Sequence, residues 1–492
     1  MSRIYFGTDG IRGKVGQAPL TVDFVLRLAS AAARALAPQG GSVLIGKDTR
    51  LSGYMFEAAL EAGFVAAGLD VRLIGPLPTP GIAFMTRHFG CRFGVVISAS
   101  HNPYYDNGIK FFDAEGGKLS DADEERIEAE LEKPPTTRES RALGRASRVD
   151  KTRKTYQDFC ISTLPPGITL EGMKIVIDCA HGAGYKVAPR ILTDLGAEIV
   201  PIGCSPNGRN INDGCGSTAP HLLQLTVPGV KAQVGIALDG DGDRLVMVDH
   251  LGRKVDGDQL LFVIATARHA AGTLQGPVVG TLMSNYGLER ALRERGIEFH
   301  RAAVGDRYVL AKLRETGGVL GGETSGHLLT LDYATTGDAM VAALQVLAVM
   351  RSTGASLAEL TSALPLLAQH SVNVKVARRF DPNAVPRVND AASELSRALE
   401  GRGRLVLRAS GTEALIRVMV ELEDAEEAVD ERLRDAVVRD DHEAVVCVGL
   451  AEFVHELVAV RGGQAEGRDP LRHGRILHPR TGRGETLQSG GS

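Results

Sequence analysis

Surplus charge is the first thing this sequence lacks. Its 492 residues carry 60 acidic and 56 basic side chains, a formal charge of -4, so nothing global argues for nucleic acid or an anionic membrane as partner. Paired cysteines are missing too. Cys91, Cys160, Cys179, Cys204, Cys215 and Cys447 form no Cys-x-x-Cys, and a chain this long needs no disulfide staples, so reduced thiols are expected. No apolar run could span a bilayer: the longest, Ala339 to Met350, is short and interrupted by Gln345. The start, Met1-Ser2-Arg3-Ile4-Tyr5, has no apolar core and no cleavage signal. A cytoplasmic protein is the expectation. No dinucleotide fingerprint follows any strand-like segment.

What is present is length and repetition. The length predicts three or four domains. A unit of strand, polar loop, amphipathic helix, glycine and strand recurs three times. The first runs from Ser42–Ile45 through a helix near Met55–Ala67 to Val71–Ile74; the second from Lys174–Ile177 through Val187–Leu195 to Glu198–Ile202; the third from Pro277–Leu282 through Leu288–Arg295 to Glu298–Ala302. Such units imply parallel strands joined by right-handed crossovers. The fold class read from them is α/β, with three similar α/β domains over 1–153, 154–252 and 253–368. A fourth segment, 369–460, has strand-like Val372–Val376, Arg404–Arg408 and Ile416–Val420 with helices, an α+β pattern. Glu132 to Lys154 reads as a solvated crossing between the first two domains. Residues 461–492, rich in Gly, Arg, His and Pro, read as a disordered tail.

Four stretches carry chemistry. Phe93–Ile97 predicts a buried strand that breaks at Ser98-Ala99-Ser100-His101-Asn102-Pro103, leaving Ser100 on a loop at a strand end. Taken alone this is an ordinary Ser/Asn turn. Asp239-Gly240-Asp241-Gly242-Asp243-Arg244 follows strand-like Val234–Leu238 and precedes Leu245–Val248. An extended loop there would aim alternate carboxylates to one side. Three adjacent carboxylates repel unless a cation joins them, and a hard ion with an open position suits Mg²⁺ acting on phosphate. An EF-hand is excluded, because Arg244 and His250 occupy the positions of its Gly and Glu. Gly321 to His327 places Glu323, Ser325 and His327 on a glycine-flanked loop able to meet sugar hydroxyls, or simply a satisfied polar loop. Arg408-Ala409-Ser410-Gly411-Thr412-Glu413 follows a strand and could cradle phosphate. Gly46-Lys47-Asp48-Thr49-Arg50 has a Walker-like Gly41 upstream. Asp48 stands where Ser or Thr is required, and Val43-Leu44-Ile45 is a strand, so the P-loop reading fails.

Together these stretches, from Arg3 to Glu421, resemble the α-D-phosphohexomutase family and, within it, the bacterial branch acting on glucosamine phosphates. Phe6-Gly7-Thr8-Asp9-Gly10-Ile11-Arg12-Gly13, Ser98 and Ser410-Gly411-Thr412-Glu413 carry the branch likeness; Thr324, Ala409 and Ala414 depart from it, where Gln, Lys and Pro are usual. The resemblance implies three α/β domains and an α+β domain around a central cleft; because that cleft would have to accept the sugar in two orientations, a mobile fourth domain is expected. It implies a phosphoserine at Ser100 and one Mg²⁺ on Asp239, Asp241 and Asp243 that also touches the Ser100 phosphate. Lys110 would be an acid/base of lowered pKa, with Arg12 and His101 supporting the transferring phosphoryl and Arg244 offsetting its charge. Arg408, Ser410, Gly411 and Thr412 would hold the other phosphate, and Glu323, Ser325 and His327 the sugar. The implied reaction interconverts glucosamine 6-phosphate and glucosamine 1-phosphate through glucosamine 1,6-bisphosphate, also the primer, supplying UDP-N-acetylglucosamine synthesis. The same chemistry on glucose or mannose phosphates is the alternative, and a non-catalytic phosphosugar sensor a more distant one. The implied partner is a small phosphosugar, with no nucleic acid and no membrane, for a monomer or homodimer.

Overall fold

The computed structural model describes residues 4–376, 380–409 and 414–422. They fall into two compact units, one ending at Leu367 and the other beginning at Ala368. Ser410, Gly411, Thr412, Cys447 and residues 461–492, for which the sequence sets expectations, lie outside the described residues.

The first domain of the first unit holds β1 (Ile11–Lys14), α1 (Val22–Leu36), β2 (Gly41–Lys47), α2 (Ser52–Ala66), β3 (Leu69–Pro76), α3 (Thr79–His88), β4 (Phe93–Ile97), β5 (Asp106–Phe112), α4 (Asp121–Leu131) and β6 (Ala146–Arg148). They form one mixed sheet of order β1-β5-β4-β2-β3-β6. The parallel pair β2–β3 is the first expected crossover. The stretch from Glu132 to Lys154 does more than cross between domains: its Ala146–Arg148 pairs parallel with β3 as an edge strand. The open edge of β3 explains this, since the Val71 N–H finds the Arg145 carbonyl at 2.9 Å and Asp70 accepts the Arg145 N–H at 2.9 Å.

The second domain comprises α5 (Thr152–Ser162), β7 (Lys174–Asp178), α6 (Val187–Asp194), β8 (Glu198–Ile202), α7 (His221–Gly229), β9 (Val234–Leu238), β10 (Leu245–Asp249) and β11 (Lys254–Val255). Its sheet order is β11-β10-β9-β7-β8, with β7 parallel to β8. The expected boundary at 252/253 falls in the turn of the β10–β11 hairpin, closed by the Asp249 carboxylate on the Leu251 and Arg253 N–H groups. The turn's own hydrogen bonds keep β11 in the second sheet.

The third domain has α8 (Gly257–Ala270), β12 (Val278–Thr281), α9 (Tyr286–Arg293), β13 (Phe299–Ala302), α10 (Asp306–Thr316), β14 (Leu320–Gly322), β15 (Leu328–Thr330), α11 (Ala339–Thr353) and α12 (Leu357–Ser362), in a sheet of order β13-β12-β14-β15. The long apolar run is α11, capped by Asp338 and buried along most of its length. A helix apolar all round belongs in a core, and one apolar cluster runs without a break from Leu44 through Ile175 to Leu344, tying the three domains together. Among the described residues, no helix is long and apolar enough to cross a membrane.

The second unit is α+β. Strands β16 (Ala368–Lys375), β17 (Gly403–Ala409) and β18 (Leu415–Leu422) form an antiparallel sheet of order β16-β18-β17, and α13 (Pro386–Leu399) covers it with Val388, Leu395 and Leu399 on Ile416, Val418 and Val420.

Candidate active site

β4 delivers the serine loop. Its last residue, Ile97, is buried, and Ser98 closes the turn by donating its N–H to the Gly108 carbonyl at 3.0 Å. Ser100 is 1% exposed and sits in the left-handed region, φ +51°, which a non-glycine residue adopts only when its surroundings insist. Its hydroxyl donates to Asp239 Oδ2 at 2.6 Å, and the His101 ring nitrogen Nδ1 lies 3.4 Å away.

Asp239 opens the carboxylate stretch between β9 and β10. The stretch is a tight turn, not the extended loop expected: the Gly242 N–H donates to the Asp239 carbonyl at 3.1 Å, with Gly242 at φ +72°. Glycine is needed there for the φ, and at Gly240 for space, because a Cβ would stand 2.6 Å from the Ser100 carbonyl oxygen. Folding the turn converges the carboxylates more tightly than alternation could. One oxygen from each of Asp239, Asp241 and Asp243 lies within 4.8 Å of the others, and all three residues are buried. Asp241 Oδ2 accepts from Thr79 at 2.7 Å and from Lys110 at 2.9 Å. The second oxygens of Asp241 and Asp243 are buried without a hydrogen-bond partner. Three buried carboxylates that converge, two of them with an oxygen left unsatisfied, fit a divalent cation. Burial, then Asp243 and Asp241, push the Asp239 carboxyl well above its usual range. That is how crowded carboxylates behave when only protons can relieve them.

Lys110 departs from expectation. Burial opposes its charge, but Asp241 and Asp9, each 2.9 Å from Nζ, hold the ammonium well above its ordinary pKa. The lowered pKa expected from neighbouring cations is overturned because carboxylates are the nearer neighbours. Lys110 begins a chain of alternating charges: Asp9 pairs with Lys118 at 2.6 Å, Lys118 pairs with Asp306, and His327 lies 3.2 Å from Asp306 and 3.7 Å from Asp243. Burial works against a charged His327, yet Asp243 and Asp306 push its pKa up to about 10.

A cavity of about 400 Å³ opens above these groups, lined by Arg12, Ser100, His101, Arg244, Glu323 and His327 among others. Arg12 pairs with Asp9. Burial, with Arg244 and Arg12 nearby, lowers His101 to about 4, so its ring is neutral at pH 7. Glu323 leaves β14 half-buried, accepting the Gly305 N–H at 3.0 Å; Ser325 is exposed, its hydroxyl 3.5 Å from Glu323. Arg408 is the penultimate residue of β17 in the second unit, opposite Arg417. Thus Ser100, His101, Arg12, Arg244, Glu323 and His327 share one cavity with Asp243, while Asp239, Asp241 and Lys110 lie in contact with its wall. Sequence reasoning missed Asp9, Lys118 and Asp306. Each follows or nears a glycine in a polar loop, and only tertiary contact marks them out.

Three mixed-sheet α/β domains, an α+β domain and a buried serine hydroxyl set against a three-carboxylate turn define the architecture of a phosphohexomutase. The chain belongs to the phosphoglucomutase/phosphomannomutase family: alpha/beta/alpha domains I, II and III of that family match residues 3–138, 154–252 and 256–366, and its C-terminal domain matches 372–439. It is 58% identical over 423 residues to the phosphoglucosamine mutase of Pasteurella multocida, covering 86% of this chain and 95% of that one. It is 56% identical over 439 residues to the phosphoglucosamine mutase of Photorhabdus laumondii, covering 89% and 99%. Among solved structures, a phosphoglucomutase/phosphomannomutase family protein from Burkholderia thailandensis superposes with a TM-score of 0.72 at 24% identity, covering 88% of this chain and 96% of its own. Aspergillus fumigatus N-acetylphosphoglucosamine mutase, in complex with GlcNAc-6P and magnesium, does so at 0.62 and 18%, covering 94% and 96%. These two likenesses speak to the fold.

Proposed function

We propose that the protein is a phosphoglucosamine mutase interconverting glucosamine 6-phosphate and glucosamine 1-phosphate. The observation that carries the chemistry is the Ser100 hydroxyl, 2.6 Å from Asp239, on a cavity that also presents Arg12, Arg244 and Glu323. The choice of sugar rests on the relatives above 55% identity that bear that name.

Ser100 is the phosphoryl carrier. A hydroxyl oxygen of the bound sugar phosphate attacks the phosphorus; the new P–O bond forms as the bond to Ser100 Oγ breaks. The sugar hydroxyl loses one proton and the serine oxygen regains one, so the step is balanced and yields the 1,6-bisphosphate. Turned over in the cavity, the bisphosphate returns its other phosphoryl group to Ser100. Asp239 Oδ2 already accepts the serine proton in the resting hydroxyl. Arg12 and Arg244 offset phosphoryl charge. Lys110 enters as an ammonium, able to give a proton or to neutralise an oxygen. Glu323 and Ser325 meet the sugar hydroxyls, and Arg408, with Ser410, Gly411 and Thr412, holds the phosphate that is not reacting. Asp239, Asp241 and Asp243 would hold Mg²⁺, which offsets charge on the transferring phosphoryl.

The test is turnover with Mg²⁺ and a trace of bisphosphate, on glucosamine, glucose and mannose 6-phosphates side by side. The expected result is a kcat/KM for glucosamine 6-phosphate at least about tenfold above the others. Preference for glucose or mannose overturns the substrate; no turnover of any of the three overturns the reaction.

A further inference from the structure

The Asp48-Thr49-Arg50 stretch, rejected as a P-loop, has a place in the structure that the reaction so far leaves unused. Arg50 is 0% exposed, and its side chain is spent almost wholly on backbone carbonyls of the serine loop. Nη2 donates to the carbonyls of Ser100 at 2.9 Å and Asn102 at 2.8 Å; Nη1 donates to those of Pro103 and of Asp106, the latter at 3.2 Å. Nε donates to Asp48 at 2.8 Å. Asp48 in turn accepts the Ser98 hydroxyl at 2.6 Å, and that hydroxyl accepts the Ser100 N–H at 2.9 Å. A closed circuit therefore runs from the Ser100 N–H through Ser98, Asp48 and Arg50 back to the carbonyl of Ser100 itself.

A second hand comes from the other side of the nucleophile. Asn212, in the second domain, donates from Nδ2 to the same two carbonyls, Ser100 at 2.9 Å and Asn102 at 3.0 Å. Its own backbone is fixed by an N–H donated to Ala180 at 2.9 Å. Asp239, the acceptor of the Ser100 hydroxyl, belongs to that same second domain. Arg50 thus grips the loop from the first domain and Asn212 from the second.

We propose that Arg50 and Asn212 form a two-domain clamp that positions the nucleophile. They hold Ser100 in its left-handed conformation and so set the aim of its hydroxyl across the boundary between the first two domains. Neither touches the reacting atoms, so both are positioning residues. A left-handed serine is strained and persists only where its surroundings hold it, and four guanidinium bonds to neutral carbonyls are more than a surface turn requires. The planar fork matters as much as the charge, since it spreads donors over two nitrogens to meet four carbonyls, whereas a lysine carries three donors on a single nitrogen.

This inference rests on Ser100 being the phosphoryl carrier, and the experiment separates the two. Phosphorylation of Ser100 by glucosamine 1,6-bisphosphate is followed in single turnover by intact mass, beside steady-state kcat, KM and melting temperature, for wild type, Arg50→Lys, Asn212→Ala and the double variant. The expected result is phosphorylation slowed about 100-fold in Arg50→Lys and about tenfold in Asn212→Ala, with KM within threefold. Because both donors serve the same two carbonyls, the double variant should be no slower than about Arg50→Lys alone. Per-molecule rates within twofold of wild type despite a lowered melting temperature would overturn the clamp, as would losses that multiply. Should Arg50→Lys not fold, Asn212→Ala decides alone. If wild type takes no phosphate on Ser100, it is the carrier assignment that fails.

Discussion

The serine loop and the sugar loop border one cavity, yet they are held in opposite ways. Around Ser100 almost every polar group is answered from within: Ser98, Ser100, Asp48, Arg50 and Asn107 are all buried, and the Asn107 side chain joins in by donating to Ser52 at 2.8 Å. The sugar loop is the short connection of the β14–β15 hairpin. Its Glu323 and Thr324 are half-buried and Ser325 is exposed. Its ties run mainly through its backbone: the Glu323 N–H to the His327 carbonyl at 3.1 Å, the Gly326 N–H to the Glu323 carbonyl at 2.9 Å, the Gly257 N–H to the Thr324 carbonyl at 3.1 Å and the Leu245 N–H to the Gly326 carbonyl at 3.0 Å, with the Gly305 N–H on the Glu323 carboxylate at 3.0 Å and the Thr324 hydroxyl on Asp258 at 2.8 Å. The difference matches what each loop must do. In the proposed reaction one atom of one serine has to be aimed the same way in both half-reactions. In the same proposal the recognition side accepts a sugar in either orientation, which suits the half-buried Glu323 and the exposed Ser325.

The largest effect that could break this comparison is on the fixed side. Ser100→Ala should lower kcat by roughly 10³-fold or more, because no other group in the cavity replaces a covalent carrier. Calorimetric affinity for the sugar phosphate should change by less than about threefold. More than a tenth of wild-type turnover in the variant would show that the loop's rigidity serves something other than the nucleophile.

The two loops also differ in how far they could be read in advance. Phe93–Ile97, Val234–Leu238 and Glu198–Ile202 are strands over the residues expected, since an apolar run stopped by turn residues leaves a strand little freedom. The meeting of Ser100 with Asp239 needed only that two strand-end turns face each other. What could not be read depends on contacts distant in sequence. Lys110 is named as an acid/base by the resemblance alone, and the pKa lowered by cations that such a role needs is not legible locally: Asp9 and Asp241, which raise it, are brought against it only by the fold. Arg50 carries no local mark of its role: its carbonyl partners lie about fifty residues on. The edge strand Ala146–Arg148 has a charged, irregular sequence and exists because β3 offers it an open ladder.

On the adaptable side the expected effect is smaller. Glu323→Gln keeps the shape but turns charge-assisted hydrogen bonds to the sugar into neutral ones, a difference of about 1.5–3 kcal/mol against 0.5–1.5. A loss of roughly tenfold in kcat/KM is expected, carried mainly by KM. Should the loss sit in kcat at unchanged KM, the sugar loop would belong with the fixed machinery.

The smallest effect concerns the support beneath the sugar loop, and pH sharpens it. Asp48 under the serine loop has Arg50 against it. Asp258 under the sugar loop is answered by the Asn285 N–H at 2.8 Å and by the hydroxyls of Thr324 and Ser284, while its Oδ1 is buried without a partner. Burial, with Asp256 nearby, pushes its carboxyl up to about 7. The unfolded chain holds that proton with a pKa of about 3.9, so the folded state binds it more tightly. The stabilisation from that proton is complete below about pH 4 and is lost as pH rises through 7. Asp258→Asn is neutral throughout and can still accept from Asn285 and Thr324. Its unfolding free energy relative to wild type, followed by melting temperature, should therefore climb between pH 5 and pH 8, by on the order of 1 kcal/mol or more. A difference that stays flat over that range would mean that Asp258 takes up no proton on folding, and the contrast between the loops would narrow to exposure alone.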